Sequence, residues 1–196
     1  MAEPGSLGAI LLAGGAGTRF GGGKLLHPLA DGTAVGIAAW RNLRAAVERS
    51  VVVVRSEDAA LAARFSAERA IVVECAQAHL GMGHSLVCGV RALADARGWI
   101  VALGDMPRVR PGTVVALAQR LAAGARIVVP VWDGQRGHPV GFAASLREEL
   151  LALSGDSGAR MLLQRHAAEV ERVPVDDPGI LQDVDTREDL ARLSEA

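Results

Sequence analysis

Leu11-Leu12-Ala13-Gly14-Gly15-Ala16-Gly17-Thr18-Arg19-Phe20-Gly21-Gly22-Gly23-Lys24 is the stretch from which the rest of the chain is read. A continuous apolar run, Ala9 to Ala13, delivers the backbone into a glycine-rich loop that carries two cations. Glycines let a backbone turn tightly and bring its N–H groups close to phosphate oxygens. Lys24 is the only lysine among the 21 Lys and Arg residues. In a chain that otherwise uses arginine, a lone ammonium in this loop points to a need for a compact charge rather than a planar fork. The competing interpretation is a flexible surface loop with an incidental lysine.

Composition narrows the class. The 196 residues suit one domain, 1–196, with a substantial core. Half of them are apolar, 22% are charged and the net charge is −1. That describes a globular chain without the electrostatic surface expected of a nucleic-acid or membrane binder. No apolar run is long enough to span a bilayer, and no basic-then-apolar leader opens the sequence, so the expected location is the cytoplasm. Cys75 and Cys88 match no zinc spacing and are expected to be two buried thiols.

Outward from the glycine loop, the apolar pattern alternates between two periods. Residues 7–13, 51–54, 70–73, 99–103, 127–131, 140–143 and 170–175 read as strands, most of them too continuously apolar to have a wet face. Helical spacing covers residues 34–47, with Asp31-Gly32-Thr33 as turn and candidate cap before it. Further helices are expected at 56–65, 84–97, 114–121 (with Pro111 at its start), 145–152, 157–167 and 186–193. Buried strands alternating with helices predict an α/β fold, a three-layer sandwich around a mostly parallel twisted sheet. Ligands of such sheets bind beyond the carboxyl ends of the strands. The loops 14–24, 75–83 and 104–107 therefore fall on one edge, around one site.

Two familiar phosphate loops are excluded by spelling. The dinucleotide fingerprint fails because Phe20 stands at its third glycine. The P-loop fails because Thr18 replaces its first glycine and Leu25 follows the lysine. Backbone donors with two separated cations, Arg19 and Lys24, remain, and they suit a triphosphate held while a P–O bond breaks.

Leu12-Ala13-Gly14-Gly15-x-Gly17-x-Arg19-Phe20-Gly21-x-x-Lys24 resembles the signature of nucleotidyltransferases that activate molybdopterin or sugar phosphates. Gly81-Met82-Gly83-His84-Ser85-Leu86, Leu103-Gly104-Asp105-Met106-Pro107, Arg136-Gly137-His138-Pro139-Val140, Gly155-Asp156-Ser157-Gly158-Ala159-Arg160 and Asp183-Val184-Asp185-Thr186 extend the likeness. In that order they resemble the molybdenum cofactor cytidylyltransferase and molybdopterin-guanine dinucleotide synthase family, along essentially the whole chain. The resemblance implies a Rossmann-like, GT-A-like nucleotidyltransferase fold. The implied reaction joins a nucleoside monophosphate to the terminal phosphate of a pterin-type acceptor, with Mg²⁺ as cofactor and pyrophosphate released. A molybdoenzyme or its chaperone is the implied recipient.

The resemblance also implies the following site roles, position by position. Arg19, Lys24 and Asp105 carry catalysis. Leu12, Ala13, Gly14, Gly15, Ala16, Gly17, Arg19, Lys24, Gly81, Gly83 and Ser85 hold the nucleotide. Asp105 and Asp185 take the metal, and Arg136, His138 and Asp183 take the acceptor. A carboxylate at the end of a buried strand suits a hard cation, although an Asp at Asp105 could merely turn the chain. Asp183 and Asp185 flank Val184 and would share a face of an extended segment, while Asp185 or Thr186 could equally cap the following helix. Gly14 stands where the cytidylyltransferases carry Ala and the guanylyltransferases Gly; the remaining motifs favour the cytidylyl side, so CTP is preferred over GTP. The family pattern expects Asn where Cys75 stands. Rival functions are transfer to a sugar phosphate or methylerythritol phosphate, and a non-catalytic carrier of the molybdenum cofactor.

Overall fold

The computed structural model describes residues 6–15, 17–156 and 158–195, so Ala16 of the glycine loop and Ser157 lie outside the described residues. Strand β1 (Gly8–Leu12) is buried along its whole length. An apolar strand with no solvent face must be paired on both edges and covered on both faces. Both occur: β1 pairs in parallel with β2 (Ser50–Arg55) and with β4 (Gly98–Leu103). Strand β3 (Ile71–Cys75) adds to β2 in parallel as the sheet edge.

The two faces sort by residue parity, as a two-residue repeat requires. Ala9, Leu11, Val52 and Val54 belong to one core, with Trp40 and Leu43 of helix α1 (Val35–Ala46), Phe65 of α2 (Ala59–Ala67) and Leu117 of α4 (Pro111–Ala122). Ile10, Leu12, Val51 and Val53 belong to the other, with Leu86 and Val90 of α3 (Met82–Ala92) and Leu150 of α5 (Arg147–Leu151). Helix α3 lies close on β1 because Gly89 has no side chain; a Cβ there would sit 2.5 Å from Ile10 Cγ2.

The second half of the sheet is mixed. Strands β5 (Ile127–Trp132), β6 (Gln135–Arg136), β7 (Val140–Ala143) and β8 (Val170–Pro174) complete eight strands in the order β3-β2-β1-β4-β7-β5-β6, with β8 on β5. β7 runs antiparallel to both β4 and β5, while β8 is parallel to β5. Helices α6 (Arg160–Arg165) and α7 (Arg187–Glu195) finish the described chain. The sheet order reverses between β1 and β4, and crevices for ligands open at such switch points. No described helix is long and apolar enough to cross a membrane.

Local details depart from the sequence expectations. Asp31 is not a helix cap: its carboxylate accepts from Thr33 N at 2.8 Å and shapes the turn, while Ala34 occupies the cap position of α1. Helix α3 begins at Met82, because Gly81 at φ 125° ends the preceding 3-10 turn, and it ends at Ala92 rather than near Arg97. The expectation of two thiols is corrected. Cys75, at the end of β3, and Cys88, in α3, form a disulfide across Cα atoms 6.1 Å apart. The packing of α3 against β3 brings the two within the span a disulfide bridges.

Two predictions follow from this packing. Gly89→Ala drives a methyl into the branched end of Ile10 and is expected to destabilise the fold by about 1–3 kcal/mol in denaturant unfolding. His166 is bonded by both ring nitrogens, Nδ1 to Glu169 at 2.7 Å and Nε2 to Glu149 at 3.0 Å, with Arg126 and Arg165 on the same carboxylates. Those hydrogen bonds raise its pKa above the ordinary 6.5. A raised folded-state pKa stabilises below the unfolded value, and the contribution disappears as pH rises through the folded one. The Tm of the protein should therefore fall as pH increases from about 6.5, more steeply than that of His166→Gln, with the ordinary His pKa as reference.

Candidate active site

Three chain segments meet where β1 and β4 end. Gly104 N donates to Leu12 O at 2.9 Å, which ties the turn after β4 to the last residue of β1. Val184 N donates to Asp105 O at 2.9 Å, which adds the segment before α7. Val184 is fully buried, so Asp183 and Asp185 on either side of it point away from the core. The segment is extended but joins no strand.

Lys24 sits at the centre. It opens a 3-10 turn (Lys24–Leu26) preceded by Gly23 in the left-handed region, and only 8% of its surface is exposed. Its Nζ donates to Asp105 Oδ2 at 2.8 Å and to Asp185 Oδ1 at 3.1 Å. Arg19, largely exposed, reaches the other oxygen of Asp185 at 2.5 Å. Burial alone would lower the Lys24 pKa; the hydrogen bonds and charges of the two aspartates outweigh it and hold the pKa above that of a free lysine. Asp105 Oδ1 is buried and accepts no hydrogen bond.

The choice between cap and site at Asp185 is settled by Asp189. Its carboxylate accepts from Asp185 N, Thr186 N and Thr186 Oγ1, and Asp189 N donates back to Thr186 Oγ1. This reciprocal box caps α7 through Thr186 and leaves the Asp185 carboxylate to Lys24 and Arg19. Asp183 has a raised pKa, first from burial and then from its neighbours Asp185 and Asp105.

A cleft of about 600 Å³ opens over Lys24, Arg19 and Asp105, with Asp185 and Asp183 outside its lining. Leu12, Ala13, Gly14, Gly15, Arg19 and Lys24 line one side, Gly81 and Ser85 the other, and Asp105 the floor. Gly17 lines an adjoining recess together with Lys24. Gly83 is buried beneath the wall, where its N–H donates to Gly155 O at 2.9 Å. A Cβ on Gly81 would lie 2.4 Å from the Gly155 carbonyl carbon, so the 154–156 loop clamps the entry to α3. A Cβ on Gly14 would meet Ser85 Oγ at 3.0 Å and Ala78 Cβ at 3.2 Å. Bare backbone at Gly14 therefore lets α3 close on the end of β1.

The residues expected on the acceptor side do not line this cleft. Arg136 is exposed on the β6 hairpin. His138 points inward beside Met106 and Asn42, around a cavity of about 10 Å³, and its Nδ1 is buried without a partner. Burial lowers its pKa, against the pull of Asp105. Among the cleft residues outside the sequence reading of the site, Arg55 is the cation. Arg55 ends β2 on the same sheet edge, and its Nε donates to Gly14 O at 2.7 Å while the side chain lines the cleft. Its place at a strand's carboxyl end was the available signal.

The comparisons agree with this geometry. The chain is 32% identical to nicotine blue oxidoreductase of Paenarthrobacter nicotinovorans, over 94% of both proteins. It is 33% identical to the bifunctional protein GlmU of Pelobacter propionicus, over 74% of this chain but 32% of that protein. The crystal structure of Rv0371c from Mycobacterium tuberculosis superposes with a TM-score of 0.85 at 27% identity, covering 99% of this chain and 100% of that one, and a manganese complex of the same protein matches at 0.78. The MobA-like NTP transferase domain matches residues 9–170, which takes in the glycine loop and Asp105. With its cleft at the β1–β4 switch point, the chain belongs to the MobA-like NTP transferase family and is a nucleotidyltransferase.

Proposed function

We propose that the protein transfers a nucleoside monophosphate from CTP or GTP to the terminal phosphate of a pterin-type acceptor, releasing pyrophosphate. The observation that carries this reading is the buried Lys24 ammonium between Asp105 and Asp185 at the floor of the cleft. An acceptor phosphate oxygen attacks the α-phosphorus in line, and the bond from that phosphorus to the bridging oxygen of pyrophosphate breaks. The attacking phosphate oxygen is already a nucleophile, so the chain has to position groups and neutralise charge. Lys24 and Arg19 supply cations for the triphosphate. Gly14, Gly15 and Gly17 offer backbone to its phosphates, and Gly81, Ser85 and Arg55 wall the nucleoside.

The donor set fits a hard divalent cation such as Mg²⁺. Among the described residues no cluster of three metal-ligating side chains occurs. Asp105 keeps a buried oxygen without a donor, and Asp185 lies on the other side of Lys24. One or two carboxylates completed by water and substrate phosphate is the usual protein share of such a site. When bound, the ion would offset charge on the departing pyrophosphate. The manganese complex of the mycobacterial relative supports divalent metal use.

Gly14 supports GTP and the later motifs support CTP; CTP is the favoured donor. Arg136, His138 and Asp183 would serve the acceptor from outside this cleft, Arg136 from the exposed β6 hairpin and Asp183 beside Asp185, while the inward-facing ring of His138 would act by positioning rather than by contact. A different phosphate acceptor, such as a sugar phosphate, remains the nearest rival chemistry.

One observation favours a second reading: a relative similar along 94% of its length is named an oxidoreductase. A reduced nicotinamide dinucleotide has the same layout as the proposed product, two nucleoside-like halves joined by pyrophosphate. Parallel assays separate the two. Pyrophosphate release with CTP, GTP, ATP and UTP and a phosphorylated pterin supports transfer; oxidation of NADH or NADPH with a quinonoid dye and no pyrophosphate would replace it. Lys24→Ala and Asp105→Ala should each lower turnover by at least about 10²–10³-fold, with circular dichroism unchanged, and Lys24→Arg should also be impaired. Near-normal turnover in either alanine variant would overturn the mechanism.

A further inference from the structure

Two cations and two carboxylates pair at and beside the floor of the cleft, leaving Asp105 Oδ1 as the one carboxylate oxygen of the set without a donor among the described residues. Lys24 takes one oxygen of Asp105 and one of Asp185, and Arg19 takes the second oxygen of Asp185. Their charges cancel. A divalent ion bound by these carboxylates must approach their oxygens to about 2.0–2.1 Å. An ammonium on Asp105 Oδ2 and Asp185 Oδ1 denies the ion a position shared by the two carboxylates, and its charge repels an ion that approaches the open Asp105 Oδ1.

We propose that Lys24 is the internal competitor of the divalent metal, holding its place between Asp105 and Asp185 until a polyphosphate draws the ammonium away. The proposal rests on the nucleotidyl-transfer reading given above. Partner exchange leaves no charge unpaired: Lys24 and Arg19 pass to phosphate oxygens as the metal takes the carboxylates. The side chain suits the task, being a point charge on a flexible four-carbon stem. Its setting suits it too. Gly21, Gly22 and Gly23, just before Lys24, all have positive φ, and no atom lies within 4 Å of where their Cβ atoms would be. The segment is thus hinged on one side and held to the core by Leu25 on the other. Metal and polyphosphate then bind with positive coupling, and each raises the affinity for the other by the same factor.

The sole lysine makes the test direct. Protein labelled with ¹⁵N,¹³C-lysine gives the side-chain signal of Lys24 alone. Mg²⁺ by itself at low millimolar concentration should leave that signal in place, and Mg²⁺ with inorganic tripolyphosphate should shift it. Displacement of the signal by Mg²⁺ alone, or its indifference to both additions, overturns the proposal. In a second arm, Mn²⁺ binding without nucleotide is followed by electron paramagnetic resonance. Lys24→Met should bind Mn²⁺ at least about tenfold tighter than wild type, within the usual range of coupling between sites. Arg19→Gln, which removes the same charge from an exposed position, should gain markedly less. Binding by Lys24→Met that is no tighter than wild type, or no tighter than Arg19→Gln, also overturns it. If Lys24→Met gains Mn²⁺ affinity while wild type releases pyrophosphate with no triphosphate and acceptor, the competition stands and the transfer reading fails.

Discussion

The burial of one ammonium between two carboxylates is the constraint on which the site depends. A charge taken out of water costs several kcal/mol unless it is closely paired. Lys24 is almost fully buried, so the fold must deliver Asp105 and Asp185 to it from positions 81 and 161 residues away. Two backbone hydrogen bonds, Gly104 to Leu12 and Val184 to Asp105, stitch those segments together. The Asp189–Thr186 box then caps α7 without using Asp185. Sheet order, helix capping and site electrostatics thus serve one geometry.

The opposite wall of the cleft is held by different means. The β3–α3 connection, which carries Gly81, is bridged by Cys75–Cys88 and clamped by the 154–156 loop. The cross-link ties the end of β3 to the first turns of α3. Rigidity on that wall contrasts with the glycine run before Lys24, where the backbone adopts conformations that side chains disfavour. One wall fixes a ligand's position, and the other carries the charges that must change partners. The likeness to both transferases and a protein named an oxidoreductase is consistent with function residing in such local features rather than in the fold.

Much of this was legible in the residues because it rests on local or periodic signals. The apolar run through Leu12 marked a two-sided buried strand, and the run through Leu103 marked its neighbour. The carboxyl-edge rule then placed the glycine loop, Gly81 and Asp105 around one cleft. Less local features were not legible. Asp31 read as turn or helix cap, and only the turn role is realised, since Ala34 occupies the cap position. Arg55 carried no motif, and its role depends on Gly14 O lying across the sheet. The spelling around His138 marked it for the acceptor side, and only packing shows that its ring faces inward beside Met106.

The sequence by itself determined the α/β class, the place of the glycine loop at the sheet edge and the family, because strand periodicity, glycine placement and motif order are encoded along the chain. Only the tertiary structure decided the pairing of charges at Lys24, the bond between Cys75 and Cys88, and the freedom of the Asp185 carboxylate. Each of these is a meeting of groups separated in sequence. Such meetings are set by how helices pack on the sheet, and by which donors and acceptors burial leaves to find one another.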